Sequence, residues 1–167
     1  MATLYWAANG AMPTTAALTK VTTGTTIRTM LQIAPSATRP IKVVEWGISF
    51  DGSAAATPIQ VELIQTDVAA TVTAHVAAGV QPYDDPNAPA STVTLGTAAT
   101  GYSATGAAEG TITATRYGDL QLMSPTNQYV KQWPLGREFQ VPVSKFLRVR
   151  VTAGTAVNAY CYVIWEE

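Results

Sequence analysis

The stretch Ile41–Thr66, IKVVEWGISFDGSAAATPIQVELIQT, decides the fold class. Val44, Trp46, Ile48 and Phe50 alternate with Val43, Glu45, Gly47 and Ser49, the two-residue period of a strand with one buried face. Asp51-Gly52 and the small residues up to Pro58 make a turn, after which Ile59, Val61 and Leu63 resume the alternation against Gln60 and Glu62. The reading is a β-hairpin with one wet and one dry face.

The same period recurs on both sides of this stretch. Upstream, residues 25–33 alternate Ile27, Thr29, Leu31 and Ile33 with Arg28, Met30 and Gln32. Downstream, residues 111–115 and 120–123 read as strands around Tyr117-Gly118-Asp119. The chain ends in FLRVRVTAGTAVNAYCYVIWEE, where Leu147, Val149 and Val151 alternate with Arg148 and Arg150 before a turn at Ala153-Gly154-Thr155. In the last strand Tyr160, Tyr162 and Ile164 share one face, and Cys161, Val163 and Trp165 the other. A strand apolar on both faces belongs in the middle of a covered sheet or at a subunit interface.

The middle is looser. VAATVTAHVAAGV suits a strand or a small-residue helix, because Val and Thr favour extension while Ala tolerates either. QPYDDPNAPAS, with Pro82, Pro86 and Pro89, is a loop. Short β pieces follow, broken by Gly96, Gly101, Gly106 and Gly110. About eight strands, turn signals between them and no strong helix predict an all-β, antiparallel β-sandwich of jelly-roll-like form. The first confident strand and the last are expected to pair or to share a sheet, with the loose middle forming loops at one end. Residues 1–24 are set apart as an N-terminal arm, and 25–167 as a single sandwich domain. The apolar cluster Leu4, Tyr5 and Trp6 in that arm needs cover from its own domain or from a neighbouring subunit.

Composition narrows the function classes. At 167 residues the chain suits one domain by the usual span of roughly 100 to 200 residues. Only 13% of residues are charged, while 25 are Thr and 27 are Ala, so hydroxyls and small side chains must cover much of the surface. A formal net charge of −1 with no basic run argues against nucleic-acid binding. Apolar runs are strand-sized, which argues against a membrane-spanning helix, and MATLYWAANG lacks the pattern of a signal peptide. The single cysteine, Cys161, leaves no intrachain disulfide and suits a reducing compartment.

Chemistry-bearing patterns are few. His75 is the sole histidine, so it cannot build a multi-imidazole metal site and has no sequence cue for a catalytic partner. Asp84-Asp85 with Asn87 is oxygen-rich but lacks the alternate spacing and closing Glu of a calcium loop, and reads as a turn beside proline. Cys161 sits between two tyrosines with no basic neighbour and reads as a structural thiol. Glu45 and Glu62 are the one carboxylate pair the hairpin would bring together, on its polar face. Arg148 and Arg150 suggest a solvated or salt-bridged stripe. The expectation is a chain with no catalytic residue, no metal and no cofactor. Tyr83, Tyr102, Tyr117, Tyr129 and Trp133 fall in loop regions, and Tyr83, Tyr102 and Trp133 are the candidate glycan contacts of a carbohydrate- or receptor-binding module.

WPLGRE (Trp133–Glu138), the final run FLRVRVTAGTAVNAYCYVIWEE, the stretch from Ile41 and AAEGTI around Glu109 together resemble small proteins encoded among the head genes of tailed bacteriophages, described as minor capsid or decoration proteins. The resemblance covers the chain from Ile41 onward. It implies a jelly-roll or tumour-necrosis-factor-like homotrimer on the outside of the capsid, made in the host bacterial cytoplasm, with the major capsid protein and its own copies as partners. No catalytic residue transfers with it. Leu4, Tyr5, Trp6, Tyr160 and Tyr162 are the candidate capsid or subunit contacts.

Overall fold

A computed structural model describes residues 2–104 and 108–167. Gly106, among the expected strand breaks, lies outside them. The described residues form thirteen strands: β1 (Leu4–Ala8), β2 (Val21–Thr22), β3 (Arg28–Ile33), β4 (Ile41–Phe50) and β5 (Ile59–Thr66) come first. They are followed by β6 (Thr73–Ala74), β7 (Gln81–Pro82), β8 (Gly101–Tyr102) and β9 (Thr115–Met123). Last come β10 (Gln128–Gln132), β11 (Phe139–Val141), β12 (Phe146–Thr152) and β13 (Asn158–Glu166). Among the described residues there is no α-helix, and the ambiguous Val68–Val80 segment becomes the short β6 and a 3-10 turn at Ala77–Gly79.

The strands form two antiparallel sheets, packed as a sandwich. The first runs β10-β4-β13-β1-β7, with β11 also on β4 and β2 on β13; the second runs β6-β8-β3-β12-β5-β9. The long strands β1, β3, β4, β5, β9, β10, β12 and β13 carry the topology. In their chain order the first pairs with the last, which also pairs with the third, and the third with the sixth; the second pairs with the seventh, the seventh with the fourth, and the fourth with the fifth. That is jelly-roll order. One apolar cluster fills the space between the sheets, with Trp46 and Trp165 fully buried and the Tyr5 ring stacked on Trp165 at 6.2 Å.

Three local expectations need correction. Residues 41–66 are not a hairpin: β4 lies in the first sheet and β5 in the second. The connection after Phe50 is fastened elsewhere, because the Asp51 carboxylate accepts from the Asn158 backbone N–H at 2.9 Å and from Lys20 Nζ at 2.6 Å, and Gly52 N–H donates to Pro125 O at 2.8 Å. Residues 51–58 therefore arch from one sheet to the other instead of folding back. The strand that pairs with β13 is β1, while β3 belongs to the opposite sheet. Leu4–Ala8 is accordingly a strand inside the first sheet rather than part of an arm.

Bulges explain the misread faces. Ile164 faces Glu45 but Trp165 faces Val43, so Val44 is the extra residue, and Val43 points into the core on one side of it as Trp46 does on the other. Met30 is the extra residue of β3, which leaves Thr29 and Gln32 together on the outer face. Gly118 is the extra residue of β9, which contains the expected strand at 120–123 and the residues read as its turn, whereas 111–114 of the expected strand at 111–115 are not strand; an added Cβ at Gly118 would sit 3.0 Å from the Phe139 ring.

The middle of the chain does not simply loop at one end. Residues 67–104 cross the outer face of the second sheet to reach β6 and β8 beside β3, visiting the edge of the first sheet at β7, and residues 108–114 lead into β9. Gly101 marks the tightest passage, since a Cβ there would lie 2.3 Å from Thr73 O, a backbone atom that cannot swing aside. Gly101→Ala is expected to cost about 1–3 kcal/mol of stability in denaturant titration. A second expectation concerns acid. Hydrogen bonds from Lys20 and then Asn158 hold Asp51 down to about 2, and those from the Thr113 side chain and nearby amides hold Asp67 down to about 2. Both carboxyls are depressed in the folded state, so their contribution is complete above the ordinary carboxylate range and is lost as pH falls from about 4 through about 2. Thermal melts over that interval should show a shallower pH dependence for Asp67→Asn than for the parent chain.

Candidate functional site

The outer face of the first sheet gathers most of the side chains singled out as contacts. β13 is its middle strand, and Tyr160, Tyr162 and Ile164 point outward from it. In β1, Trp6 lies opposite Ile164, Ala8 opposite Tyr162 and Leu4 opposite Glu166; in β4, Ser49, Gly47 and Glu45 face Tyr160, Tyr162 and Ile164. Since directly paired residues share a face, Leu4, Trp6, Tyr160 and Tyr162 form one surface. On β10, Val130 lies opposite Gly47 and is 56% exposed. Tyr5 is the exception. It points into the core, 3% exposed, and its hydroxyl donates to Pro89 O at 2.9 Å, so it is not available as a contact.

The aromatic side chains of this face are held rather than loose. Gly47 leaves room for the Tyr162 ring to lie across β4: a Cβ there would come within 2.6 Å of the ring. The Tyr162 hydroxyl donates to Glu45 Oε1 at 2.5 Å, and the Gln132 amide donates to the other Glu45 oxygen. Tyr160 donates to Leu18 O at 2.5 Å. Shallow grooves of about 120 and 330 Å³ flank Tyr160, the first lined by Tyr129, Val130 and Tyr162, the second by Lys20, Asp51 and Asn158. Two ion pairs lie on and around the face, Lys20 with Asp51 at 2.6 Å and Lys42 with Glu166 at 3.9 Å, while Glu45 is held by neutral donors. Burial, and then the hydrogen bond to and charge of Glu45, push the Tyr162 phenol above its ordinary range.

The three candidate glycan contacts are not brought together. Tyr83, 59% exposed, follows β7 at one edge of the first sheet, while Trp133 follows β10 at the other edge, stacked on Phe139 with Lys131 above its ring at 5.1 Å. Tyr102 lies in β8 of the second sheet, 4.9 Å from His75. Tyr129 is also committed, its hydroxyl donating to Asp119 at 2.9 Å, and Tyr117 stands alone on the outer side of β9. Burial and then Asp119 push the Tyr129 phenol up to about 12.

The remaining chemistry-bearing residues have structural partners. His75 Nε2–H donates to Ala8 O at 2.9 Å, since a carbonyl can only accept, and burial lowers its pKa. Asp84 Oδ1 accepts from the Leu4 and Asp85 N–H groups, and Asp85 Oδ1 accepts from Asn87 N–H, tying the turn to β1. Cys161 is fully buried, which pushes its thiol up. Glu45 and Glu62 sit in different sheets. Among the described residues no group of three His, Cys, Asp or Glu side chains is placed to hold a metal ion.

Two polar features had no counterpart in the sequence reading. Asn9 extends β1 by side chain: its amide donates to Ala159 O at 3.1 Å and accepts from Cys161 N–H at 2.9 Å. Glu109, Arg148, Arg150 and Glu62 form a buried ion-pair chain on the outer face of the second sheet, so the expected arginine stripe is salt-bridged beneath cover rather than solvated. The sequence spacing of Glu109 and Arg148 offers no sign of their contact.

No protein-family model, curated protein or solved structure matches the chain. The surface geometry can nonetheless be read by titration. Tyr129 and Tyr162 are kept neutral in the fold, so their stabilisation is complete below the ordinary phenol range and is lost as pH rises above about 10. In an ultraviolet pH titration Glu45→Gln should bring one late-titrating tyrosine down toward the ordinary range and leave the Tyr129 signal unmoved.

Proposed function

We propose that the chain is a non-enzymatic structural protein of a bacteriophage particle, a homotrimer that decorates the outside of the head. The observation that carries the reading is the outer face of the first sheet, where half-buried Tyr160 and Tyr162 of the middle strand share a surface with Trp6 of β1, and Ile164, opposite Trp6, is 4% exposed. A sheet face open to water ordinarily alternates apolar inside with polar outside. Here the central strip is aromatic and aliphatic, the charges at its margins are ion-paired, and the one further carboxylate, Glu45, is held by the Tyr162 hydroxyl and the Gln132 amide. Such a face suits a second copy of the same chain, which carries as little charge there, better than it suits a strongly charged partner.

The resemblance to phage head proteins adds the location and the second partner, the major capsid protein. Jelly rolls also serve in unrelated roles, so the fold supports the reading only together with that resemblance. Attachment through many weak, uncharged contacts repeated over a shell gains strength from avidity, and it changes little with ionic strength. The carbohydrate-binding reading is the weaker one, because Tyr83, Tyr102 and Trp133 do not share a surface.

Two measurements test the proposal. The native mass of the purified protein should be a threefold multiple of 17.6 kDa, and Trp6→Arg should reduce it to that of the monomer. Co-sedimentation with phage shells lacking the protein should be saturable and persist at high salt. A monomer that binds neither immature nor expanded shells would sink the reading.

A further inference from the structure

Residues 67–74 and 108–114 lie over the second sheet as the two legs of a strap, and the contacts that hold the legs down are mostly polar. The Glu109 carboxylate is 7% exposed. Its Oε1 accepts from Thr29 N–H at 2.6 Å, and its Oε2 from the Thr29 hydroxyl at 2.7 Å and from Arg148 Nη1 at 3.0 Å, with Arg150 Nη1 at 4.0 Å. All of these donors belong to β3 and β12, in the body of the sandwich; the acceptor comes from the strap. Arg148 is fully buried, and its further bonds run to the carbonyls of Glu109 and Val68, again on the strap.

The legs also hold each other. Thr71 N–H donates to Ala108 O at 2.9 Å, and Asp67 accepts from the Thr113 hydroxyl and from the N–H groups of Thr113 and Ala114. Gln32 on β3 adds a reciprocal pair with Ala70, 2.8 Å from Ala70 N–H and 3.3 Å to Ala70 O. The apolar part of the legs is small: Ala70 and Val72 cluster with Ala104 apart from the main core, to which Val80 and Val93, farther along the chain from the legs, belong. Lifting the legs would uncover polar groups that water can solvate, while the core between the sheets stayed closed. Local opening of this kind is favoured where few apolar contacts cross the boundary.

We infer that Thr29 and Arg148 form a carboxylate-binding cradle which Glu109 fills in cis, and that the legs of the strap make a latch opening separately from the jelly roll. The ligand class is a carboxylate, and the latch is independent of whether the protein decorates a phage head.

Hydrogen exchange of the full chain, read by mass spectrometry, tests both halves. In Glu109→Ala, peptides covering 67–74 and 108–114 should exchange at least about tenfold faster than in the parent chain, with β4 and β13 peptides unchanged. Added sodium acetate should restore protection to the Glu109→Ala strap, beyond the effect of sodium chloride at equal ionic strength, and leave the parent chain unaffected. Glu109→Gln, which keeps the shape and one acceptor, should fall between the two. Strap and strand peptides exchanging together, or failure of both variants to fold, would overturn the latch. Acetate acting no better than chloride would overturn the cradle.

Discussion

Arg148 is the residue whose burial most constrains this fold. A guanidinium removed from water must be matched by acceptors with good geometry, and losing one partner of such a pair costs about 3–5 kcal/mol. The matching groups are Glu109 and the carbonyls of the crossing strap, far along the chain from β12. Residues 67–74 and 108–114 thus cannot be an ordinary surface loop. They are part of the solvation shell of an arginine in the middle strands of the second sheet. Arg150 and Glu62, bonded at 2.6 Å on the neighbouring strands, continue the same line of charge, and Glu62 is completed by Gln60 at 2.7 Å.

The two sheets consequently end up with opposite exteriors. The second carries charge and amide groups outward beneath the strap, with Leu120 and Leu122 of β9 exposed beyond it; the first carries half-buried tyrosine and tryptophan outward, with Ile164 among them only 4% exposed. What keeps the first sheet's exterior flat is local. Gly47 lets the Tyr162 ring lie across β4, Glu45 takes the Tyr162 hydroxyl, and Asn9 continues the β1 to β13 ladder by one more side-chain step. These contacts fix the rotamers of a half-buried aromatic strip, and a surface ordered in this way loses less entropy if it associates.

Fold class was legible because a two-residue period survives in single strands: Ile59, Val61 and Leu63, Leu147 to Val151, and the two apolar faces of β13 all sit as their alternation says. Pairing was less legible. Asp51-Gly52 has the composition of a hairpin turn, yet Asp51 is spent on Asn158 and Lys20, and nothing in residues 51–58 announces that the chain crosses to the other sheet. The bulges at Val44 and Met30 are equally silent, since an extra residue in a β-branched or apolar run leaves the composition unchanged while reversing the face of everything beyond it. Of the contact residues, Leu4, Trp6, Tyr160 and Tyr162 could be assigned to one surface only once β1 was known to pair with β13.

The same register explains why Tyr5 separates from its neighbours. Leu4, Tyr5 and Trp6 look like one apolar cluster in sequence, but once they form a strand beside β13 the middle residue must face the opposite way. Tyr5 then stacks on Trp165 and helps close the core, while its neighbours line the exterior. The terminal segment therefore does two jobs that a free arm could not combine. It completes the hydrogen-bonding of the central strand, and it supplies the tryptophan that extends the apolar strip across three adjacent strands. An assembly built on that strip would depend on β1 being in place, so folding of the N-terminal strand and association through this face are coupled by geometry.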